Sequence, residues 1–131
     1  MKDVDESKYT IEQIFKDQKA SDTVERFVLA FHKDLVHQLN QRNLIWLSRT
    51  NVRGITYLCN EKKAFMFVDV HIKFVSLKFF TGNTIINGLV KANWINKGDN
   101  LGSKTYRIVD DFSLRQALVF AMKAYEIGAD W

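Results

Sequence analysis

The chain contains no proline, one cysteine and six glycines among its 131 residues. Without proline there is no proline-rich linker to mark a domain boundary. The single thiol, Cys59, excludes an internal disulfide and is typical of a reducing compartment. The charged N-terminus lacks the apolar core of a signal peptide, and no apolar run approaches the roughly 18 residues that span a bilayer. A cytoplasmic protein that does not enter a membrane is therefore expected.

Apolar residues are abundant in this chain. They make up 47% of it and include ten phenylalanines and three tryptophans, which indicates a globular core rich in aromatic side chains. The length suits one domain, predicted over residues 10–131 after a flexible segment at residues 1–9. The net charge of +4 permits attraction to nucleic acid or to an acidic partner without requiring either.

Three segments with helical periodicity begin at residues that can cap a helix. The residue pairs with the spacing of a capping box are Thr10–Gln13, Asp22–Glu25 and Ser113–Gln116. The second helix is predicted to end near Asn40 to Asn43, and the third at Gly128, the residue type most favoured just after a helix. Two N-terminal helices and one C-terminal helix are therefore expected.

Four segments have the composition of β-strands. They are residues 44–48, 55–59, 64–80 and 104–109. The third is a hairpin with a link at His71 to Lys73, in which Phe65, Phe67 and Asp69 share one face of the sheet. Short polar turns between successive strands make the neighbours antiparallel. The fold class is therefore predicted as α+β, a two-layer domain with N-terminal helices, an antiparallel sheet of about five strands and a C-terminal helix.

Three local features complete this prediction. Arg49 to Asn51 is expected to form a turn, because its residue types favour turns. Gly54 is expected to mark a bulge or a close approach of backbone. Thr84 to Val90 is expected to be a short helix, which Gly88 weakens.

Asp69 and His71 are two residues apart, so on a continuing strand they share a face. Such a pair can orient an imidazole for proton transfer or metal binding. Neither a nucleophile nor a third ligand has an evident place beside them, so a polar pair at a strand end is the preferred interpretation. The run from Asp69 to Lys73 also differs from a magnesium-nuclease signature, because His71 stands where a carboxylate is needed. No catalytic residue, metal site or cofactor is therefore predicted.

Basic and aromatic residues alternate along the predicted sheet and its loops. A sheet face with cations and aromatic rings can contact phosphates and stack bases, whereas the competing interpretation is a solvated face whose charges prevent aggregation. Trp94 lies in a polar loop and either fills the core or lines a pocket. The candidate contacts for a ligand or nucleic acid are Arg49, Arg53, Asp69, His71, Lys73, Lys78, Trp94, Lys97 and Asp99.

Several strings resemble a small uncharacterised prokaryotic domain family that is sometimes labelled a predicted transport protein. The strings that carry the resemblance are residues 55–58, 67–70 and 75–80, the loop at residues 93–99 and the pair Ala124-Tyr125. In the family the loop reads His-Trp-Gly-x-Gly-Asp, whereas here the histidine position is Asn93 and the first glycine position is Ile95. The family occurs alone or fused to nuclease-like domains. The resemblance therefore implies an accessory or binding role near DNA metabolism, without any chemistry that needs the loop histidine.

Three functional hypotheses follow from these observations. The first is a non-enzymatic binding or accessory module with a protein partner or a second copy of itself. The second is a nucleic-acid-binding domain that uses the basic residues of the sheet and Trp94. The third is a small-ligand or enzyme site where Asp69, His71 and Trp94 meet in one deep pocket.

Overall fold

The computed structural model of the protein describes residues 10–81, 86, 90–91 and 104–129. These residues form helices and strands in the order helix, helix, six strands, helix. The elements are α1 (Ile11–Gln18), α2 (Asp22–Gln41), β1 (Leu47–Thr50), β2 (Gly54–Asn60), β3 (Lys63–Val70), β4 (Val75–Phe79), β5 (Val90–Lys91), β6 (Lys104–Ile108) and α3 (Asp111–Ala129).

All six strands belong to one antiparallel sheet with the order β1-β2-β3-β4-β6-β5. The first four strands are joined in sequence by short turns, and β6 extends the sheet beyond β4. The edge strand β5 has two residues, so five strands of four or more residues make up most of the sheet. The predicted α+β class, with helices at both ends of the chain, is confirmed.

The core lies between one face of the sheet and the helices. The apolar stripe of α2 is buried there, as are the inward side chains of β2, β3, β4 and β6. Arg26 pairs with Asp111 at 3.6 Å, and Arg42 pairs with Glu126 at 3.5 Å. Because each pair joins corresponding ends of α2 and α3, the two helices run side by side in the same direction.

The beginnings of α1 and α2 follow from side-chain caps. The Thr10 hydroxyl accepts the Gln13 amide at 3.2 Å while the Gln13 side chain accepts the Thr10 amide at 2.8 Å, which confirms the predicted capping box. The cap of α2 is Ser21, whose hydroxyl accepts the Val24 amide at 3.2 Å. The prediction of Asp22 as the capping residue was wrong by one position. Asp22 lies in the first turn, where its carboxylate interacts favourably with the helix dipole.

The helix α3 begins two residues before the predicted Ser113. The Asp110 carboxylate accepts the Ser113 amide at 2.7 Å, and the Ser113 hydroxyl accepts the Asp110 amide at 3.0 Å. The Ser113 amide and the Ser113 hydroxyl both donate to the Asp110 carboxylate, and these bonds lower the pKa of its carboxyl. The true capping pair is therefore Asp110 with Ser113, and the predicted pair of Ser113 with Gln116 was wrong.

Gly128 lies within α3, which continues to Ala129, so the predicted helix stop was wrong. A Cβ atom at this glycine would lie 3.4 Å from Cys59 Sγ and 3.5 Å from Phe65 Cβ. These are ordinary van der Waals distances, and they show that α3 packs against β2 and β3 at Gly128. Cys59 is buried there, and burial raises the pKa of its thiol.

Two predictions around the first hairpin have different outcomes. Arg49 and Thr50 belong to strand β1, so the predicted turn was placed too early. The turn follows at Asn51, whose side-chain oxygen accepts the amides of Arg53 at 2.8 Å and Gly54 at 3.0 Å. The predicted close approach at Gly54 is confirmed, because a Cβ there would lie 1.7 Å from the carbonyl oxygen of Val68.

Part of the predicted secondary structure falls outside the described residues. The short helix expected over Thr84 to Val90 is described only at Ile86, which is buried, and at Val90, which belongs to β5. The loop that contains Trp94 is not among the described residues. Within the described part of the chain, no helix combines the length and apolar composition that crossing a bilayer requires.

Candidate functional site

The sheet has a second face, opposite to the core, which we call the outer face. Directly paired residues of an antiparallel sheet point to the same side, so the strand register identifies the members of this face. One row crosses the sheet through Arg49, Thr56, Phe67, Lys78 and Thr105. All five side chains in this row are half-buried. The predicted contacts Arg49 and Lys78 therefore lie on one continuous surface.

A second row on the outer face contains the predicted pair of Asp69 and His71. Gly54, Asp69, Ser76 and Arg107 are paired across β2, β3, β4 and β6, and His71 follows at the end of β3. The backbone bond from the His71 amide to the Phe74 carbonyl, 3.1 Å long, closes the link between β3 and β4.

Asp69 is held by two neighbours. Arg53 Nη2 lies 3.4 Å from Oδ1 and 3.3 Å from Oδ2 of the carboxylate, and His71 Nε2 lies 3.2 Å from Oδ2. The Asp69 side chain is 23% exposed, whereas that of Arg53 is 59% exposed. The carboxylate is therefore a largely covered group that fixes two more exposed side chains in place.

Three planar groups form a stack beside this pair. The rings of His71 and Phe74 lie 4.3 Å apart at 21°, and the guanidinium carbon of Arg107 lies 4.0 Å from the centre of the Phe74 ring. Two groups this close to one ring centre must occupy its opposite faces. The order is therefore His71, Phe74, Arg107, and each outer member of the stack has one further planar surface.

Two more aromatic rings lie on the outer face among the cations. Lys78 Nζ is 5.7 Å from the centre of the Phe80 ring, within the range of a cation–π contact. The Cζ atom of Phe67 is 3.3 Å from the position that a Cβ would take at Gly54. The Phe67 ring therefore reaches across the glycine on the neighbouring strand.

The charges are distributed unequally between the two layers. Asp69 is the single acidic residue in the six strands, and the basic residues there are Arg49, Lys63, Lys78, Lys91, Lys104 and Arg107. The helices hold more acidic than basic residues, namely Glu12, Asp17, Asp22, Glu25, Asp34, Asp111 and Glu126 against Lys16, Arg26, Lys33, Arg115 and Lys123. The positive charge of the described chain is therefore concentrated in the sheet.

An open cleft of about 540 Å³ lies at the end of the outer face. We call it the end cleft; its lining residues are Asp17, Gln18, Lys19, His71, Ile72, Lys73 and Phe74. It joins the end of α1 to the link between β3 and β4. The predicted contact Lys73 belongs to this cleft, and His71 and Phe74 connect it with the stack on the outer face.

A buried polar contact anchors α2 on the other side of the sheet. His32 Nδ1 and the Tyr57 hydroxyl are 2.6 Å apart, and Tyr57 is fully buried. Burial lowers the pKa of His32 and raises that of Tyr57, since both charged forms lose solvation. The sequence pattern alone did not indicate this contact between His32 and Tyr57.

The predicted site residues that the structure describes divide into three groups. Arg53, Asp69 and His71 are in direct contact, Arg49 and Lys78 share the neighbouring row, and Lys73 lines the end cleft. The predicted contacts Trp94, Lys97 and Asp99 lie outside the described residues.

Four members of the outer face were not among the predicted contacts. They are Phe67, Phe74, Phe80 and Arg107. The signal for Phe74 and Phe80 was the alternation in Phe74-Val75-Ser76-Leu77-Lys78-Phe79-Phe80, where every second residue faces away from the core, and the signal for Phe67 was its place two residues before Asp69. Arg107 could be assigned only once the partner strand of β6 was known.

The chain matches no protein-family model, no curated protein and no solved structure in the three comparisons. The described residues also contain no group of three or more metal-binding side chains. The functional argument therefore depends on the geometry of the outer face and the end cleft.

Proposed function

We propose that the protein is a non-enzymatic binding module and that its outer face binds single-stranded nucleic acid. The observation that carries this proposal is the combination of cations and aromatic rings on one sheet face, where the one acidic strand residue is already held by Arg53 and His71. Such a surface offers positive charge to the phosphates and planar groups to the bases.

Several features of the outer face favour a single strand over a duplex. Stacking needs bases that are not already stacked and paired, and the rings of Phe67 and Phe80 are half-buried on the sheet surface rather than projecting from it. No described helix lies on this face to enter a major groove. Arg49 and Lys78 belong to the same row as Phe67, so cations lie on both sides of this ring.

The contacts of Asp69 support a positioning role rather than a catalytic one. Its two oxygens are engaged by Arg53 and His71, and the end cleft is lined by His71 but not by Asp69. A general base needs an accessible oxygen within hydrogen-bond reach of a substrate proton. The carboxylate instead holds Arg53 and His71 at the surface.

A protein partner or a second copy of the chain is the other candidate. Large apolar side chains are exposed away from the outer face, among them Leu29 (47%) on α2 and Phe112 (62%) and Val119 (48%) on α3. Exposed apolar area of this kind is common at protein interfaces when it is contiguous. Light scattering at increasing protein concentration would detect self-association through this surface.

The test is fluorescence anisotropy with single- and double-stranded DNA and RNA over a range of salt concentrations. Three basic residues of the outer face, Arg49, Lys78 and Arg107, give an expected slope of about −2 in log affinity against log salt at about 0.7 per phosphate of a single strand, since Arg53 is held by Asp69. Lys78→Gln should weaken binding and reduce the slope by about 0.7. The matched control is Lys123→Gln on α3, which should leave both unchanged.

Two outcomes would contradict the proposal. One is the lack of any binding at low salt by a protein that is folded by circular dichroism. The other is binding that Lys123→Gln weakens as much as Lys78→Gln does, because this would show a response to net charge alone.

A further inference from the structure

We infer that the end cleft binds the terminal phosphate of the nucleic-acid strand that is bound on the outer face. This inference rests on the proposed function and adds to it, because it predicts that the protein distinguishes phosphorylated from hydroxyl ends.

The position of the cleft gives the first argument. The stack of His71, Phe74 and Arg107 lies on the outer face, and two of its members also line the cleft. A nucleic-acid strand that follows the outer face along β3 and β4 toward their link therefore reaches the cleft without leaving the protein surface.

The corner between α1 and α2 closes the sheet at this end. The Ser21 amide donates to the Ile72 carbonyl at 2.9 Å, and the Gln18 side chain donates to the Val52 carbonyl at 2.8 Å. These bonds fix the end of α1 beside both turns of the sheet. The end of α1 therefore blocks one side of the cleft where the sheet ends. Such a closed cleft suits the end of a nucleic-acid strand better than its middle.

The charges in the cleft give the second argument. Lys19 and Lys73 line it, are exposed, and form no side-chain hydrogen bond or ion pair with another described residue. Asp17 is the one acidic side chain in the lining. A terminal phosphate monoester carries about −1.5 to −2 at neutral pH, compared with −1 for a phosphate within the strand. Two ammonium groups therefore favour the terminal group over an internal one.

His71 supplies a place for the terminal base. One face of its ring is covered by Phe74, its Nε2 contacts Asp69, and its side chain is still 33% exposed where it borders the cleft. A base stacked on the other face of the imidazole would extend the stack by one layer. The terminal nucleotide would then have its base on His71 and its phosphate near Lys19 and Lys73.

The experiment compares three fluorescent decathymidylates that differ only in their ends, with a 5′-phosphate, with a 3′-phosphate or with hydroxyl groups at both. One phosphorylated form should bind about fivefold more tightly than the hydroxyl form, as expected for one added charge near two cations at high dielectric. The double variant Lys19→Gln/Lys73→Gln should abolish this preference while leaving affinity for the hydroxyl form within about twofold. Asp17→Asn should enlarge the preference.

The outer-face variant Lys78→Gln is the matched control, since it should weaken all three probes by the same factor. Thymidine monophosphate, but not thymidine, should compete with the preferred probe. Equal binding of the three probes would overturn this inference and leave the proposed function standing. Absence of binding by all three would overturn the proposed function and this inference together.

Discussion

Replacement of Asp69 by asparagine distinguishes a binding surface from a catalytic site. The substitution keeps the shape of the side chain and removes the one negative charge among the strands. Arg53, which is 59% exposed and directed at this carboxylate, loses its ionic partner and becomes available to a phosphate. We therefore expect Asp69→Asn to strengthen binding of single-stranded nucleic acid. If Asp69 were a catalytic carboxylate, the same substitution would instead abolish the activity.

The expected size of the effect follows from the geometry. One further phosphate contact makes the salt slope steeper by about 0.7. One unit of charge a few ångströms from a phosphate in water changes the affinity by about fivefold at low salt. The variant also loses its contacts with Arg53 and His71 at 3.3 and 3.2 Å, and because these are partly exposed we expect a loss of about 1–2 kcal/mol in the free energy of unfolding.

The assay is fluorescence anisotropy with decathymidylate between 50 and 200 mM salt, on the order of the range over which phosphate contacts are resolved. Glu126→Gln is the control, since Glu126 pairs with Arg42 at 3.5 Å on the helical layer and its replacement changes the net charge equally. Its affinity should stay within about twofold of the wild type, because exposed charges beyond the screening length contribute little. Weaker binding by Asp69→Asn, or an unchanged salt slope, would refute the reasoning.

Three further predictions concern stability. Gly54→Ala places a Cβ 1.7 Å from the Val68 carbonyl oxygen and should destabilise the protein by about 3 kcal/mol or more, measured by urea unfolding; a loss below about 1 kcal/mol would contradict the described register. Burial lowers the folded pKa of His32 below its unfolded value of 6.5, so the unfolded state binds its proton first and stability should fall as the pH decreases through and below 6.5. His32→Gln should remove this part of the pH dependence of the urea midpoint between about pH 5 and 7.5. An unchanged pH dependence would show that other groups cause it. Ser113→Ala removes a buried hydroxyl that accepts the amides of residues 109 and 110, so a loss of about 1–2 kcal/mol is expected, with Ser113→Thr as the milder control.

The fold class could be predicted because its signals are local. Helix periodicity and the alternation in residues 75–80 depend on neighbours in the chain, and they place α2, α3 and β4 within a few residues of their observed ends. The errors in element boundaries arose where a contact with a distant part of the chain determines the local structure. Gly128 is a residue type typical of a helix end, yet it lies inside α3, where the helix packs against Cys59 and Phe65 of the sheet.

The side-chain alternation of β3 also shows that local sequence does not reveal the effect of contacts with a neighbouring strand. Phe65 was expected to share a face with Phe67 and Asp69, but it is buried against Tyr125 of α3 with ring centres 5.2 Å apart. The register of β2 against β3 shifts after Tyr57, which returns Phe65 to the core side. A bulge of this kind depends on the partner strand, so the sequence of β3 alone does not contain it.

The candidate site was predictable only in part. Arg53, Asp69 and His71 were identified from residue type and spacing, and they meet as expected for a polar pair at a strand end. The placement of Arg107 on Phe74 required the pairing of β4 with β6, which are separated by the 24 residues between positions 79 and 104. Contacts across such a distance are set by tertiary structure rather than by local pattern.

The side-by-side arrangement of α2 and α3 also has a consequence for synthesis of the protein on the ribosome. The β1–β4 strands emerge before α3, so their inward apolar side chains lack the part of their covering layer that α3 supplies until α3 leaves the exit tunnel. Contacts between segments that are far apart in the chain form slowly because a long loop must close. Nascent chains that stall before residue 111 should therefore be the form most dependent on chaperones.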